Sequence, residues 1–265
     1  MNNKKVGTLS IEDIKKIKLQ HAQHKNDCDM IEKFGIVVML DILGWKNLIT
    51  IDNVKEYANI LNSLRTKILD ILLRVTDDSE DFNVDISIFA DTIVILINND
   101  GPFNELNIFN IISSFLTDSL KRGIAFRGAI SRGRYYTNSS KNIFIGEAYY
   151  EAAQYCESTN WAGVIITPSL RKDLLQNNPI DNLKEINIVK YDEIPFKQDF
   201  KKDLDLVLVP NREKWQNLKT GGSRYTDFKS LYKEIMKSKD CQNSTNEKYN
   251  NTIKFIEYLE KEFWN

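Results

Sequence analysis

The sequence predicts a mixed α/β domain in which helices pack on a single β-sheet. Three observations lead to this fold class. Apolar runs of strand length alternate with longer amphipathic stretches over most of the chain. These elements follow the order strand, helix, strand, strand, helix, strand, and then strand, helix, strand. The 265 residues, 42% of them hydrophobic and 28% charged, suffice for one large domain with a buried core.

Each element follows from a local pattern. Residues 34–40 form a β-type apolar run, and from Val54 apolar side chains recur every three or four residues, which predicts one long helix. Two strands over 84–97 meet at a tight connection around Ala90 and Asp91. The later predictions are helices at 104–121, 147–158, 224–238 and 246–263, and strands within 123–131, 142–146, 161–168, 186–196 and 204–210.

The general properties of the chain exclude several classes of function. A net charge of −1 gives no basic footprint for binding nucleic acid. No run approaches 18 apolar residues and the N-terminus lacks an apolar signal region, so we expect a cytoplasmic protein without a membrane partner. Cys28, Cys156 and Cys241 lie far apart, and no CxxC spacing indicates a zinc site or a disulfide framework.

Two carboxylates interrupt apolar runs that otherwise have the character of buried strands. The run VVMLDILGWKNLI contains Asp41, and ISIFADTIVIL contains Asp91 at the expected hairpin connection. An isolated buried carboxylate is costly unless a partner neutralises it. If the hairpin neighbours the first strand, the two carboxylates face one another, and at about 4 Å they repel by about 4 kcal/mol. A shared divalent cation is therefore one interpretation, although a single aspartate at a strand end is often a turn former or a helix cap.

The segment after Asp41 favours the same chemistry. Gly44 allows the backbone to approach a ligand closely, and a turn of backbone N–H groups ahead of a helix suits phosphate oxygens. Mg²⁺ prefers hard oxygen ligands and often completes its octahedron with substrate phosphates. These features together indicate phosphoryl or nucleotidyl transfer.

Four motifs in order resemble class III nucleotide cyclases. LDILGWKNL (40–48) resembles their first metal motif, and FADTIVI (89–95) is similar to their second metal hairpin. FRGAISRG (126–133) resembles the next strand, and IGEAYYEAA (145–153) is similar to the segment that usually carries Asn and Arg. The resemblance covers residues 34–170 and implies a class III cyclase-like βαββαβ sheet with helices.

Several positions depart from the ordinary pattern. Tyr150 stands where the transition-state Asn usually lies, and Gln154 where the Arg usually lies. Ser87 replaces the Lys of adenylyl cyclases or the Glu of guanylyl cyclases, and Lys141 and Asn142 occupy the neighbourhood of the expected acidic partner. This combination is most similar to the bacterial Pycsar pyrimidine cyclases.

That resemblance implies a homodimer, with active sites at its interface, that converts UTP to 3′,5′-cyclic UMP and pyrophosphate during phage infection. The product would activate a separately encoded effector. The boundaries that follow are an N-terminal polar arm over 1–33, a cyclase catalytic domain over 34–210 and a C-terminal helical extension over 211–265.

The resemblance also implies roles for individual residues. Asp41 and Asp91, with the carbonyl of Ile42, would bind two Mg²⁺ or Mn²⁺ ions. The β- and γ-phosphates would lie on the loop Leu43, Gly44, Trp45 and Lys46.

The base and the transition state need further contacts. Ser87 and Phe89 share one strand face with Asp85 and are candidates for base contact, and Tyr150 is a further candidate for substrate binding. The uncharged Gln154 cannot stabilise the transition state as an arginine does, so another cation is needed. The candidates are Arg127, Arg132 and Arg134, with Arg127 on the opposite strand face from the other two.

Other interpretations remain open at this stage. The enzyme could be a cytidylate cyclase that makes cyclic CMP from CTP, or a cyclase-like domain that has lost activity and serves as a dimerising nucleotide sensor. A diguanylate cyclase is disfavoured because IFADTI lacks the Gly-Gly-Asp/Glu-Glu-Phe elbow of that class.

Overall fold

The computed structural model is one mixed sheet covered by helices, which confirms the predicted α/β fold class. It describes residues 30–44, 54–75, 84–98, 105–122, 124–138, 141, 143–177, 179–197, 200, 204–211, 214, 230 and 243–263. The strands are β1 (Ile31–Ile42), β2 (Val84–Phe89), β3 (Thr92–Asn98), β4 (Phe126–Asn138), β5 (Ile143–Ile145), β6 (Val164–Ile166), β7 (Ile188–Lys190) and β8 (Leu206–Leu208). The α-helices are α1 (Val54–Val75), α2 (Glu105–Lys121), α3 (Glu147–Ser158), α4 (Pro168–Asn177) and α5 (Asn243–Glu262), and a 3₁₀ helix spans Ile180–Ile186.

The described strands form one eight-stranded sheet in the order β2-β3-β1-β4-β6-β8-β7, and β5 pairs with β4 outside this path. The β4–β6 pair is parallel, whereas the other neighbours are antiparallel. The predicted hairpin between β2 and β3 is confirmed. Its turn contains Ala90 at a φ of 53°, the positive value that a two-residue hairpin turn requires at its first position. The hairpin lies directly beside β1.

The two faces of the sheet bury separate apolar clusters. On one face Ile36, Val38 and Leu40 of β1 pack with side chains of α1, α2 and α4. On the other face Val37 and Met39 pack with side chains of α3 and α5. Because both faces of β1 are covered, its central residues form a continuous apolar run. Asp41 belongs to the second face by alternation, which places it on the side of α3 and α5.

The C-terminal helix α5 is anchored to this sheet through an aromatic cluster. Phe255 packs against Trp161 and Tyr191 with ring centroids 4.6 and 4.8 Å apart, and Tyr258 lies 5.0 Å from Tyr191. Trp161 is fully buried and stacks on Tyr191 at 5.6 Å. The last helix of the predicted extension therefore packs on the core of the main domain.

The structure departs from the predicted elements in a few places. Helix α4 is an addition to the predicted elements: Pro168, expected to end a strand, also begins this helix, since proline is favoured in the first turn of a helix. Strand β4 continues to Asn138, seven residues beyond its predicted end at 131. The predicted helix at 224–238 and almost all of the polar arm lie outside the described residues. None of the described helices has the length and apolar character needed to cross a membrane.

A glycine sets the close approach of β1 and β4. A Cβ atom at Gly128 would lie 2.5 Å from the carbonyl oxygen of Met39 and 2.6 Å from Cδ2 of Leu40. We therefore expect Gly128→Ala to destabilise the protein by about 2 kcal/mol, because the two strands would have to separate. Urea denaturation measures this directly. Ala129→Gly, one position along β4, serves as a control for strand propensity, and equal stability of Gly128→Ala and the wild type would contradict the expectation.

Candidate active site

A row of side chains crosses four strands at one edge of the sheet, the edge formed by the strand ends where β1 stops and β4 begins. Phe89 pairs with Thr92, Thr92 pairs with Asp41, and Asp41 pairs with Arg127. Directly paired residues in antiparallel strands project to the same face. Asp91 belongs to the same edge, because its carbonyl accepts a hydrogen bond from the amide of Ile42 at 2.9 Å. The edge thus combines two carboxylates and one guanidinium.

Asp41 and Arg127 form a close ion pair. Nε of Arg127 donates to Oδ2 of Asp41 at 2.6 Å, and the two side chains are only 17% and 16% exposed. A charge-assisted hydrogen bond of this length is among the stronger polar contacts in proteins. Removal of either partner would leave the other charge partly buried and uncompensated.

Four influences act on the acidity of Asp41. Burial raises its pKa above the ordinary value of 3.8, and the Asp91 carboxylate raises it further. The Arg127 guanidinium and, more weakly, the Lys248 ammonium lower the pKa by stabilising the carboxylate. Asp41 and Asp91 are therefore close enough to repel, and a cation between them would relieve that repulsion.

The donor set fits a hard divalent cation. Within the part of the chain that the structure describes, no group of three or more His, Cys, Asp or Glu side chains converges on one point. A metal held by Asp41 and Asp91 would need additional oxygen ligands from backbone, water or a substrate. Mg²⁺ and Mn²⁺ commonly bind in this way, with one or two carboxylates and substrate phosphates. The site suits an ion that arrives with a phosphorylated ligand.

Metal binding at this edge should depend on pH. Because the pKa of Asp41 is raised above 3.8, its carboxylate accepts a proton at a higher pH than a hydrated aspartate does. We expect Mn²⁺ affinity to fall as the pH is lowered towards that pKa, since a proton competes with the ion. Titration calorimetry between neutral and mildly acidic pH measures this. An affinity that stays constant to about pH 4 would contradict the assignment.

The turn after β1 offers backbone to a ligand at one described position. Gly44 has a φ of 75°, a conformation that favours glycine. The amide of Leu43 already donates to the carbonyl of Ala125 at 2.8 Å, and the Leu43 side chain is buried. Of the described turn residues, Gly44 is therefore where a phosphate could approach the backbone. Trp45 and Lys46 lie outside the described residues.

The predicted base-contact residues lie on the same sheet face as Asp41. Ser87 pairs with Val94, which pairs with Met39, one row inside the row of Asp41. Phe89 is 43% exposed and contacts Phe144 edge to face, with centroids 6.4 Å apart. Ser87 is half-buried beside this ring. The structure therefore brings Ser87 and Phe89 into the neighbourhood of the carboxylates.

Arg132 and Arg134 lie elsewhere. Arg132 is five residues along β4 from Arg127, a distance of about 17 Å, and projects from the opposite face. It contacts Asp173 at 3.4 Å and lies over the ring of Phe34. Arg134 is largely exposed, 4.0 Å from Glu32. Of the three predicted arginines, Arg127 is the one that contacts a carboxylate of this site within the same protomer.

Tyr150 lies on α3 and projects away from the sheet, with 67% of its surface exposed. Cys156, on the buried side of the same helix, lies behind Arg127, and its Sγ is 3.9 Å from the Arg127 carbonyl oxygen. Burial raises the pKa of this thiol to about 12, with a further contribution from Asp41. The thiol therefore stays protonated at neutral pH and does not serve as a nucleophile.

Two lysines near this edge, Lys248 and Lys197, were not predicted as site residues. Lys248, in α5, interacts electrostatically with Arg127 and Asp41. Lys197, in the segment between β7 and β8, interacts with Cys156 and with Lys248. One signal was available for Lys248: it precedes Thr252, Phe255 and Leu259 at helical spacing and so belongs to the buried stripe of α5. No comparable pattern marks Lys197.

Comparisons with known proteins give similarities in structure only. No protein-family model matches the sequence, and no curated protein matches it. One similar structure is the adenylyl cyclase CyaB from P. aeruginosa, with 13% identity, a TM-score of 0.45, and coverage of 69% of this chain and 96% of that chain. Another is the catalytic core of a rhodopsin-guanylyl cyclase with converted specificity in complex with ATPαS, with 13% identity, a TM-score of 0.47, and coverage of 69% and 99%. Such similarity does not by itself transfer an activity.

Proposed function

We propose that this chain is a nucleotide cyclase that converts UTP to 3′,5′-cyclic UMP and pyrophosphate. The observation that carries the proposal is the pair of carboxylates, Asp41 near the end of β1 and Asp91 in the adjoining hairpin turn, with Arg127 paired to Asp41. This arrangement suits a metal-bound triphosphate, and its position agrees with the metal motifs of class III nucleotide cyclases that the sequence resembles.

Asp41 and Asp91, with the carbonyl of Ile42, would hold two Mg²⁺ or Mn²⁺ ions. When bound, the ions would lower the pKa of the ribose 3′-hydroxyl and neutralise negative charge on the phosphates. The carboxylates fix where these ions bind and hence where the α-phosphate lies. Gly44 would admit phosphate oxygens close to the backbone.

In the reaction the 3′-oxygen forms a bond to the α-phosphorus. The bond from that phosphorus to the oxygen bridging to the β-phosphate breaks, pyrophosphate leaves, and the 3′-hydroxyl proton passes to solvent. Arg127 is the cation positioned to stabilise the added negative charge, because it already lies 2.6 Å from Asp41. When the metal–triphosphate complex binds, the Arg127 guanidinium would leave Asp41 and contact a phosphate oxygen instead.

Recognition of a pyrimidine base is assigned to the strand that carries Ser87 and Phe89. Both side chains share the sheet face of Asp41, and a serine hydroxyl both donates and accepts hydrogen bonds. Phe89 offers a ring face at the exposed end of the strand. A small polar contact beside an aromatic ring suits uracil or cytosine, so cyclic CMP from CTP is the alternative product.

The active form would be a homodimer with active sites at its interface. Large apolar side chains near α3 are exposed, including Ile143 at 41%, Ile145 at 55% and Tyr150 at 67%. Exposed apolar groups so close together favour a protein partner. Tyr150 could then reach the nucleotide of the partner site. The resemblance further implies that the cyclic product acts on a separate effector in antiphage defence.

A second function is favoured by one contact. The Arg127–Asp41 ion pair neutralises the carboxylate without a metal, as expected of a domain that has lost catalysis. Such a protein would be a dimerising nucleotide sensor. It would bind a triphosphate without releasing pyrophosphate, whereas a cyclase releases one pyrophosphate for each cyclic product.

Product analysis tests the proposal. The purified chain is incubated separately with ATP, GTP, CTP and UTP in the presence of Mn²⁺, and the products are separated and identified by mass. Cyclic UMP or cyclic CMP supports a pyrimidine cyclase and names the base. A cyclic purine product retains the metal site but rejects the assignment of Ser87 and Phe89. Metal-dependent binding without any product favours the sensor.

A further inference from the structure

Helix α5 carries a lysine where its neighbours are buried. Lys248 precedes Thr252, Phe255 and Leu259 by four, seven and eleven residues, and these three side chains are buried against the domain. Lys248 is itself only half-exposed. Lysine on the buried stripe of an amphipathic helix loses hydration, and an anionic partner compensates for that loss.

The middle of α5 is held in place by two hydrogen bonds to the segment that precedes β6. The Thr252 hydroxyl accepts from the amide of Ala162 at 2.8 Å and donates to the Lys248 carbonyl at 2.7 Å. The Asn251 side chain donates to the carbonyl of Asn160 at 3.0 Å. These contacts lie within one turn of Lys248, so the position of its backbone is fixed relative to the sheet.

This part of α5 faces the start of β4. Thr252 lines a small apolar cavity together with Phe126 and Gly163. Phe126 precedes Arg127, and the Gly163 carbonyl accepts the amide of Gly128 at 2.9 Å. The C-terminal helix therefore packs at the sheet edge that carries Arg127.

Two cations, Arg127 and Lys248, act on the Asp41 carboxylate at this edge, and a third, Lys197, lies near Lys248. Burial lowers the pKa of Lys248, the positive charges of Arg127 and Lys197 lower it further, and Asp41 acts in the opposite direction. Among the described carboxylates, Asp41 is the one whose charge offsets Lys248. Asp41 is already bound by Arg127 at 2.6 Å. A divalent ion bound to Asp41 would compete with Arg127 and Lys248 for that carboxylate, and a polyphosphate is the type of ligand that would then balance the two cations.

We propose that Lys248, contributed by the C-terminal helix, binds phosphate oxygens of the nucleoside triphosphate at the Asp41 site. The proposal rests on the proposed function for the identity of the anion. It makes Lys248 a substrate-binding residue within the same protomer and gives the C-terminal extension a part in the active site. A lysine suits this role because its compact ammonium meets phosphate as a point charge.

The test measures phosphate binding apart from catalysis. Inorganic tripolyphosphate is titrated into the full chain in the presence of Mn²⁺ by calorimetry, and nucleotide turnover is measured in parallel. We expect Lys248→Met to weaken tripolyphosphate binding roughly tenfold, because a charge-assisted contact is lost. KM for the nucleotide should rise with it. Lys248→Arg, which keeps the charge, should restore most of the binding.

The same helix offers a matched control. Lys254→Met removes an exposed lysine of α5 and should leave tripolyphosphate binding unchanged. Thermal unfolding of each variant verifies that α5 stays packed. If Lys248→Met unfolds, binding by Lys248→Gln and Lys248→Arg decides the question.

The outcomes separate the two proposals. Wild-type turnover combined with unchanged tripolyphosphate binding in Lys248→Met overturns the role of Lys248 and leaves the cyclase function intact. Binding that depends on Lys248, in a protein that forms no cyclic product from any triphosphate, supports the phosphate contact and overturns the cyclase function. If Lys254→Met weakens tripolyphosphate binding by the same factor, the effect comes from the overall charge of the protein, and the proposal is also overturned.

Discussion

Replacing either Asp41 or Asp91 with asparagine should abolish formation of a cyclic nucleotide, with a loss of turnover of at least about a thousandfold. Asparagine keeps the size of the side chain but removes the negative charge that holds a divalent ion. Loss of the ion removes several kcal/mol of stabilisation from the developing charge, and about 4 kcal/mol corresponds to a thousandfold in rate. Because the two carboxylates lie at one edge and would hold the ions jointly, each substitution should suffice alone.

The measurements are product yield with Mn²⁺ and Mn²⁺ affinity by calorimetry, made on each variant and the wild type. Both quantities should fall together, because the metal and the reaction depend on the same carboxylates. The two variants should differ in stability. Asp41→Asn leaves Arg127 without its charged partner and should lower the melting temperature, whereas Asp91 lies in a turn.

Asp85→Asn is the matched control. Asp85 lies on β2, pairs with Leu96 and forms an ion pair with Lys33 at 3.7 Å, towards the opposite end of the hairpin. Its substitution should leave Mn²⁺ affinity and turnover close to the wild-type values. Cyclic product at the wild-type rate from either Asp41→Asn or Asp91→Asn would refute the metal site.

Much of this edge could be predicted because its signals are local. Asp41 and Asp91 each follow an apolar run, and alternation within β2 places Ser87 and Phe89 on one face. The hairpin at Ala90 was predicted from two short apolar runs around a single break. The sequence predicts that the two carboxylates face one another if the hairpin neighbours β1, and the strand order places the hairpin beside β1.

The contacts that were not predicted depend on pairing between distant segments. The sequence placed Arg127 on the opposite strand face from Arg132 and Arg134, and the alternation of β4 agrees. Sequence patterns do not reveal the register between β1 and β4, however, and that register brings Arg127 to Asp41 across 86 positions. Lys248 reaches the same edge only because Thr252 and the aromatic cluster hold α5 against the sheet. Tertiary packing of this kind leaves only a weak trace in local composition.

The Arg127–Asp41 pair gives Arg127 two roles that a single variant can separate. In the metal-free protein the guanidinium neutralises Asp41 and so competes with a divalent ion for that carboxylate. In the reaction it would bind a phosphate oxygen and stabilise charge in the transition state. Arg127→Met should therefore lower turnover about a hundredfold to a thousandfold, while Mn²⁺ affinity stays the same or increases.

Arg132→Met is the control that decides among the three predicted arginines. Arg132 lies on the same strand but projects from the other face, where it contacts Asp173. If Arg127 is the catalytic cation of its own protomer, Arg132→Met should retain turnover after correction for any loss of stability. A large loss in Arg132→Met with a folded dimer would instead indicate that Arg132 acts across the dimer interface, in the site of the partner subunit. A purely structural role for Arg127 predicts that turnover and Mn²⁺ affinity fall together, so a fall in turnover without a fall in Mn²⁺ affinity is the evidence that Arg127 acts on the substrate.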